Sequence, residues 1–427
     1  MPGRILVDTT PLRESRDFRL VFVGQLISML GTQLTVVAIP FQVYSMTHSS
    51  LQVGAVSLAQ LFPFIAGALY AGPIGDTVDR RVIMMWTAAA SVLTSAALAV
   101  NAGVPHPSLA VLYVVSALAA GLMGFSSTAR MAAVPGLIDR RHLTAALAMM
   151  QIIIQVATVV GPALSGLLLT IGLPLVYALD GLSFVVAAVT TFLMSPLPPT
   201  HGTGGLSPWQ SMKEGVRYLR TRQVLQGVYV IDINAMVFGT PSALFPQLGT
   251  QVFGGGAQTV GLLYAAPGAG ALLGALFSGW VPRVRRQGRA VIVAVILWGA
   301  AIAAFGFTKS LPFALALLAI AGAADVVSAV FRNTILQLSV PDTFRGRLSG
   351  VHIAVVAGGP RLGDAEAGAV AALTTPQISV VSGGLACIAG ALVIARLVPE
   401  FSKYDARDAP VYSAEGPTPA TKGEVHG

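Results

Sequence analysis

Of the 26 lysines and arginines in this 427-residue chain, 22 fall in one alternating set of gaps between apolar segments. The other set holds only Lys309. The rich gaps carry Arg4, Arg13, Arg16 and Arg19 at the start, then Arg80–Arg81, Arg140–Arg141, and Lys213 with Arg217, Arg220 and Arg222. They continue with Arg283, Arg285, Arg286 and Arg289, then Arg345 and Arg347, and end with Arg396, Lys403, Arg407 and Lys422. Short basic loops stay cytoplasmic, so this asymmetry demands an even number of membrane spans with both termini inside. Arg130, Arg332 and Arg361 are left over, and each lies within an apolar segment.

Composition supports a polytopic chain. Hydrophobic residues make up 54% and charged residues 10%, with a mean hydropathy of +0.75, whereas soluble domains carry ~25% charge. A net charge of +8 would suggest nucleic acid in a soluble protein. Spread over seven separate gaps, it reads instead as charge beside anionic lipid headgroups, and no nucleic-acid partner is expected. The single cysteine, Cys387, excludes an internal disulfide, and the early acids Asp8, Glu14 and Asp17 argue against a cleaved signal peptide.

Twelve spans are expected, at 19–44, 51–71, 82–101, 108–129, 143–170, 174–195, 224–246, 257–280, 290–307, 311–333, 347–372 and 377–398. They divide the chain into a cytoplasmic N-terminus (1–18), a six-helix bundle (19–195), a cytoplasmic linker (196–223), a second six-helix bundle (224–398) and a disordered cytoplasmic tail (399–427). The linker opens with breakers and then turns helical, with Trp209, Met212, Val216 and Leu219 on one face, a pattern that suits a helix on the membrane surface. The halves repeat. Gln52-Val53-Gly54 of span 2 reappears as Thr259-Val260-Gly261 of span 8 after 207 positions. Gly161-Pro162-Ala163-Leu164-Ser165-Gly166 of span 5 aligns with Gly363-Asp364-Ala365-Glu366-Ala367-Gly368 of span 11 after 202. The expected fold is therefore an all-α polytopic membrane protein of two pseudo-symmetric six-helix bundles, the architecture of a rocking transporter.

Polar residues within the spans are the site candidates, because an acid at mid-bilayer costs ~2.5–3.5 kcal/mol on insertion scales. Asp232 and Asn234 lie in span 7. Asp325, Ser328 and Arg332 share one face of span 10 at helical spacing. Span 11 holds Arg361, Asp364 and Glu366; Asp364 is one turn from Arg361 and can pair with it, whereas Glu366 points about 200° away from Asp364. Asp232 has no cation in its own span, which marks it as the proton carrier. Asp180, near the end of span 6, reads as structural. Gln25, Ser28, Thr32 and Thr35 line span 1, and Gln151, Gln155, Thr158 and Ser165 line span 5, faces that serve either bundle packing or a solute cavity. No histidine pair has metal-binding spacing, so no metal is expected. No Gly-x-x-x-x-Gly-Lys-Ser/Thr loop is present, so neither ATP nor another cofactor is expected to drive the protein.

The loop after span 2 reads Gly72-Pro73-Ile74-Gly75-Asp76-Thr77-Val78-Asp79-Arg80-Arg81. It resembles the signature loop of the major facilitator superfamily, Gly-x-Leu-Ala-Asp-Arg-x-Gly-Arg-Arg/Lys. Gly72, Gly75, Asp76, Arg80 and Arg81 match, and Thr77 and Asp79 depart. The resemblance implies a gating loop in which Asp76 sits at the N-terminal end of span 11 and Arg80 reaches Asp139. Gly161-Pro162-x-x-Ser165-Gly166 resembles the Gly-Pro-x-x-Gly-Gly signature of the superfamily's exporters, with Ser165 in place of one glycine.

Over nearly its whole length the chain is similar to the enterobactin-exporter branch. The strings that carry this are Met46-Thr47-His48-Ser49-x-x-Gln52-Val53-Gly54, Val260-Gly261-Leu262-Leu263-Tyr264-Ala265-Ala266-Pro267, and Gly363-Asp364-Ala365 with Gly368. The resemblance implies a monomeric, multi-pass exporter in a bacterial cytoplasmic membrane, moving a bulky amphipathic small molecule at the expense of the proton gradient. A siderophore is the favoured cargo. Multidrug or macrolide efflux is the alternative, with import or a non-transporting receptor behind it.

Overall fold

The computed structural model describes residues 8–198 and 208–405, together with 407, 412–413 and 416–417. His201 and most of the tail after 407 lie outside the described residues. Long helices dominate, and among the described residues only Tyr412–Ser413 and Gly416–Pro417 pair as a minimal antiparallel ladder. The spans of the first half are Arg16–Thr47, Ser50–Gly75, Arg80–Gly103, Leu109–Leu137, Leu143–Leu168 and Leu173–Phe192. Those of the second begin with Gln223–Phe238 and continue as Ala257–Leu276, Gln287–Phe307, Leu311–Ser339, Asp342–Leu373 and Pro376–Leu397. Among the described residues, eleven of these are long and apolar enough to cross a membrane. Span 11, Asp342–Leu373, is the twelfth; its 32 residues are less apolar because Arg361, Asp364 and Glu366 lie along it.

Boundary residues follow from capping chemistry. Ser15 accepts the Phe18 N–H to start span 1, Asp79 accepts the Arg81 N–H to start span 3, and Thr375 accepts the Ile378 N–H to start span 12, each satisfying an orphan donor of a helix end. His48 ends span 1 in the left-handed region, at φ 52°.

The packing scheme repeats between halves. Span 2 lies on span 4, span 3 on spans 4 and 6, and span 1 on spans 5 and 6; span 8 lies on span 10, span 9 on spans 10 and 12, and span 7 on spans 11 and 12. Across the divide, span 2 pairs with span 11 and span 5 with span 8. Both crossings depend on glycine. A Cβ on Gly54 would stand 2.4 Å from the Asp364 carbonyl oxygen, and one on Gly261 would stand 2.6 Å from Gly166 Cα. Such contacts let helix backbones approach in lipid, where dispersion replaces the hydrophobic drive. Glycines at the arginine-rich end, Gly72, Gly75, Gly279 and Gly346, meet nothing within 4 Å.

Three segments depart from expectation. The expected disordered tail does not start at 399: Pro399–Ser402 forms a helical turn, and Phe401 is fully buried against Gly227 of span 7 and Gly288 of span 9. Span 7 is not a continuous helix over 224–246. It stops at Phe238, unwinds through Gly239-Thr240-Pro241, and resumes as short turns to Val252, because Pro241 lacks an N–H for the helical ladder. In the linker, Pro208–Leu219 is helical. Its Met212, Val216 and Leu219 do not face lipid alone: they pack with Leu225, Tyr229, Leu348 and Val351. Glu214 pairs with Arg347 at 3.0 Å and Tyr218 stacks on Phe344 at 4.2 Å, fastening the linker to span 11, while Trp209 stays 57% exposed.

Candidate functional site: a charged pocket in the second half

Spans 7 and 10 bring Asp232, Asp325 and Arg332 together. Arg332 Nη1 lies 2.8 Å from Asp232 Oδ1, and its Nη2 lies 3.7 Å from Asp325 Oδ1. Nη1 also donates to Ser328 Oγ at 3.2 Å, one helical turn away. The two strongly buried partners are Asp232 and Arg332, with side chains 5% and 7% exposed; Asp325 retains 37%. The absence of a cation from span 7 therefore does not leave Asp232 free. The cation is supplied by span 10, and Asp325 is the more weakly held acid.

A cavity of about 220 Å³ opens on this cluster, lined also by Tyr229, Asn333 and His352. The His352 ring meets Tyr229 edge-on at 6.5 Å and lies within electrostatic reach of Asp232. His352 was not singled out in the sequence, since no local spacing ties it to residue 232. Asn234 does not join the pocket; two residues on from Asp232, it turns away and donates to the Cys387 carbonyl at 2.9 Å.

On span 11 Arg361 and Asp364 stay within electrostatic reach of each other but form no ion pair within 4.0 Å. Asp364 accepts from Ser57 Oγ of span 2 at 2.8 Å, from the Ala243 N–H at 2.9 Å, and from Ser242 Oγ. Arg361 donates to the Ala357 carbonyl at 2.7 Å and lies over the Phe64 ring at 4.7 Å. Hydroxyls and an N–H freed by the break in span 7 out-compete the neighbouring guanidinium. Glu366 makes no hydrogen bond or ion pair among the described residues. Ser57 and Ser242 escaped the sequence reading; the Gly239–Pro241 breakers were the available signal, since interrupted helices mark transporter sites.

The uncharged faces are mixed. Gln25 is buried with its Oε1 unpartnered, Thr32 donates to the Ser28 carbonyl at 2.9 Å, and Gln155 is half-buried while Gln151 is exposed. Ser165 donates across to the Leu34 carbonyl at 2.8 Å. A Cβ on Gly161 would strike Gln33 at 2.3 Å and one on Gly166 would strike Gly261 at 2.8 Å. Pro162 is buried beside them, so this motif packs span 5 against spans 1 and 8. Asp180 accepts from Thr35 and Ser95, both at 2.8 Å.

In the signature loop, Asp76 is exposed and makes no hydrogen bond or ion pair among the described residues. The expected Arg80–Asp139 contact is absent. Asp139 pairs with Arg141 at 3.1 Å, next in the same turn, and Arg80 donates to the Ala132 carbonyl at 2.7 Å. Arg81 donates to the Thr191 and Phe192 carbonyls at the end of span 6.

Comparison with known proteins agrees with this architecture. A family model described as a transmembrane secretion effector matches residues 8–419. The enterobactin exporter EntS of Citrobacter koseri is 28% identical over 401 residues, covering 93% of this chain and 96% of the relative. EntS of Escherichia coli O157:H7 is 27% identical over 413 residues, covering 96% and 99%. Among solved structures, the nucleoside transporter NupG superposes with a TM-score of 0.74 at 9% identity, over 90% of this chain and 100% of that one. A bacterial homologue of the iron transporter ferroportin, in an inward-facing state, gives 0.66 at 16%, over 91% and 99%; at such identities the likeness is one of fold. With a duplicated twelve-span bundle and a family match that runs almost end to end, the chain belongs to the transmembrane secretion effectors of the major facilitator superfamily.

Proposed function

We propose that the protein is a proton-coupled exporter of a bulky amphipathic small molecule, with an enterobactin-like siderophore as the favoured cargo. The observation that carries this reading is the pocket of two carboxylates and one guanidinium inside the membrane. With both acids ionised the cluster holds one net negative charge, which is costly in a low-dielectric site. Arg332 is committed to Asp232, so Asp325 is the acid left to take a proton. A proton taken up from outside neutralises the cluster and lets the empty carrier turn inward, where its release frees Asp325 for the next substrate. Inward return of that proton drives outward work, and the membrane potential adds ~2.3 kcal/mol per charge per 100 mV.

Cargo class follows from the relatives named as enterobactin exporters. The basic gaps orient the chain with both termini and the linker in the cytoplasm of a bacterium. The test is substrate accumulation in energised inverted vesicles, which reports cellular efflux, against a panel of siderophores and cationic drugs. Gradient-dependent accumulation of siderophores is the expected result. Accumulation of cationic dyes alone would make the protein a multidrug pump, and accumulation only in right-side-out vesicles would make it an importer.

A further inference from the structure

A second cavity, of about 210 Å³, lies within the second half beside the break in span 7. Phe245, Tyr264 and Trp298 form its aromatic wall, and Asp325 borders both this chamber and the charged pocket. The polar atoms of the aromatics are already engaged. Trp298 Nε1 donates to the Gly239 carbonyl at 3.0 Å and Tyr264 Oη to the Ser242 carbonyl at 2.8 Å, both on the unwound segment. What those rings offer a ligand is therefore their apolar surface. Asp325 Oδ1, in contrast, is buried and accepts no hydrogen bond.

We infer that this chamber is a substrate subsite for a single planar aromatic ring bearing hydroxyl or N–H donors, with the donors turned to Asp325. Size selects one ring: a dry cavity of about 150 Å³ holds benzene, whereas whole drug-sized ligands need roughly 300–1,000 Å³. Chemistry selects a donor rather than a cation. An acceptor in a low-dielectric wall that takes no hydrogen bond and has only the Arg332 guanidinium at 3.7 Å gains most from an O–H or N–H, while a cation there would meet that same guanidinium. The rest of an amphipathic substrate would extend past Asp325 into the polar pocket. The inference deepens the exporter reading and rests on it for the cargo, but the subsite is testable without transport.

Trp298 is a built-in reporter, and the chain has only four tryptophans. Replacing Trp86, Trp209 and Trp280 by Phe in the full-length protein in lipid nanodiscs leaves Trp298 as the sole emitter. Equilibrium titrations without any gradient then use catechol, cyclohexane-1,2-diol and benzyltrimethylammonium. Catechol is expected to change Trp298 emission saturably and to bind at least five-fold more tightly than either other probe. Asp325→Asn should weaken catechol about ten-fold, the scale of one hydrogen bond to a charged group.

No saturable response to catechol, equal binding of the saturated diol, or preference for the ammonium ion would each overturn the proposal. The probe comparison needs no change at Asp325, so it decides the matter even if Asp325→Asn folds poorly. Transport in vesicles with Trp298 silent to catechol sinks the subsite alone. Catechol binding at Trp298 without gradient-driven transport sinks the exporter reading alone.

Discussion

The two crossings that join the halves are built from the same repeated sequence, yet they differ in kind. Where span 5 meets span 8, Gly166 and Gly261 place bare backbones in contact, and Pro162 stands beside them. Where span 2 meets span 11, Gly54 makes the equivalent approach, but the repeat position of Pro162 is Asp364, bound by Ser57 and the broken end of span 7. Duplication preserved the glycines that set helix distance. Charge within the spans is unequal: Asp232, Asp325, Arg332, Arg361, Asp364 and Glu366 lie in the second half, against Arg130 and Asp180 in the first. On the proposed reading, the first half is the packing scaffold and the second carries the ionisable machinery.

The largest expected effect tests that division at its centre. Asp232→Ala leaves the buried Arg332 with only the looser Asp325 at 3.7 Å, and removing one partner of a buried pair costs ~3–5 kcal/mol. Thermal unfolding of the detergent-purified protein should fall accordingly, and vesicle transport should vanish. Replacing the pair together, Asp232→Leu with Arg332→Met, should recover most of the stability and none of the transport. Recovery of both would reduce the cluster to a structural device.

Next in size are the glycines. Gly54→Val and Gly261→Val each force side-chain carbons into opposing backbone, and overpacking costs ~1–3 kcal/mol. The two should be alike within error if the crossings are equivalent scaffolds. A large loss at one and none at the other would break the comparison.

Much of this architecture is legible in the sequence. Charge in alternating gaps implies an even number of spans, the apolar segments give twelve, and the two shifted repeats pick out Gly54, Gly261, Gly166 and Gly368, which are all contact glycines between halves. Partners were less legible, because ion pairs form between spans whereas sequence spacing reports only within them. Asp232 looked unpaired for that reason. Arg361 and Asp364 looked paired because helical spacing allowed it, although Ser57, 307 residues away, holds the acid instead. His352 and the aromatic chamber had no local pattern, while the Gly239–Pro241 break was visible and passed over inside an apolar run.

A mid-sized prediction separates the pairing models at the second crossing. Asp364→Ala leaves three donors without their acceptor and should cost ~1–3 kcal/mol, with the span 2–span 11 crossing weakened and span 5–span 8 untouched. Because Arg361 has its own carbonyl and ring partners, a double-mutant cycle with Arg361→Ala should show coupling below ~0.5 kcal/mol. A larger coupling, or recovered expression in the double variant, would restore the ion pair as the organising contact.

The smallest effect is expected where the halves are matched most closely, in a pair of isosteric carboxylate-to-amide changes. Asp180 is buried without a cation, and both of its hydrogen bonds, from Thr35 and Ser95, converge on one oxygen, Oδ2. An asparagine can present its carbonyl oxygen at that place and accept both hydroxyls. The lost charge assistance, ~1 kcal/mol or less, is offset by no longer burying a charge, so Asp180→Asn should fold normally and transport at close to the parent rate. Asp325→Asn removes the acid proposed to carry the proton. It too should fold, since Arg332 keeps Asp232, but gradient-driven accumulation should be lost while gradient-independent exchange across the vesicle membrane persists. The decisive readout is the ratio of those two activities rather than either alone. If Asp180→Asn were the variant that kept exchange and lost accumulation, the proton would travel through the first half, and the division into scaffold and machinery would be reversed.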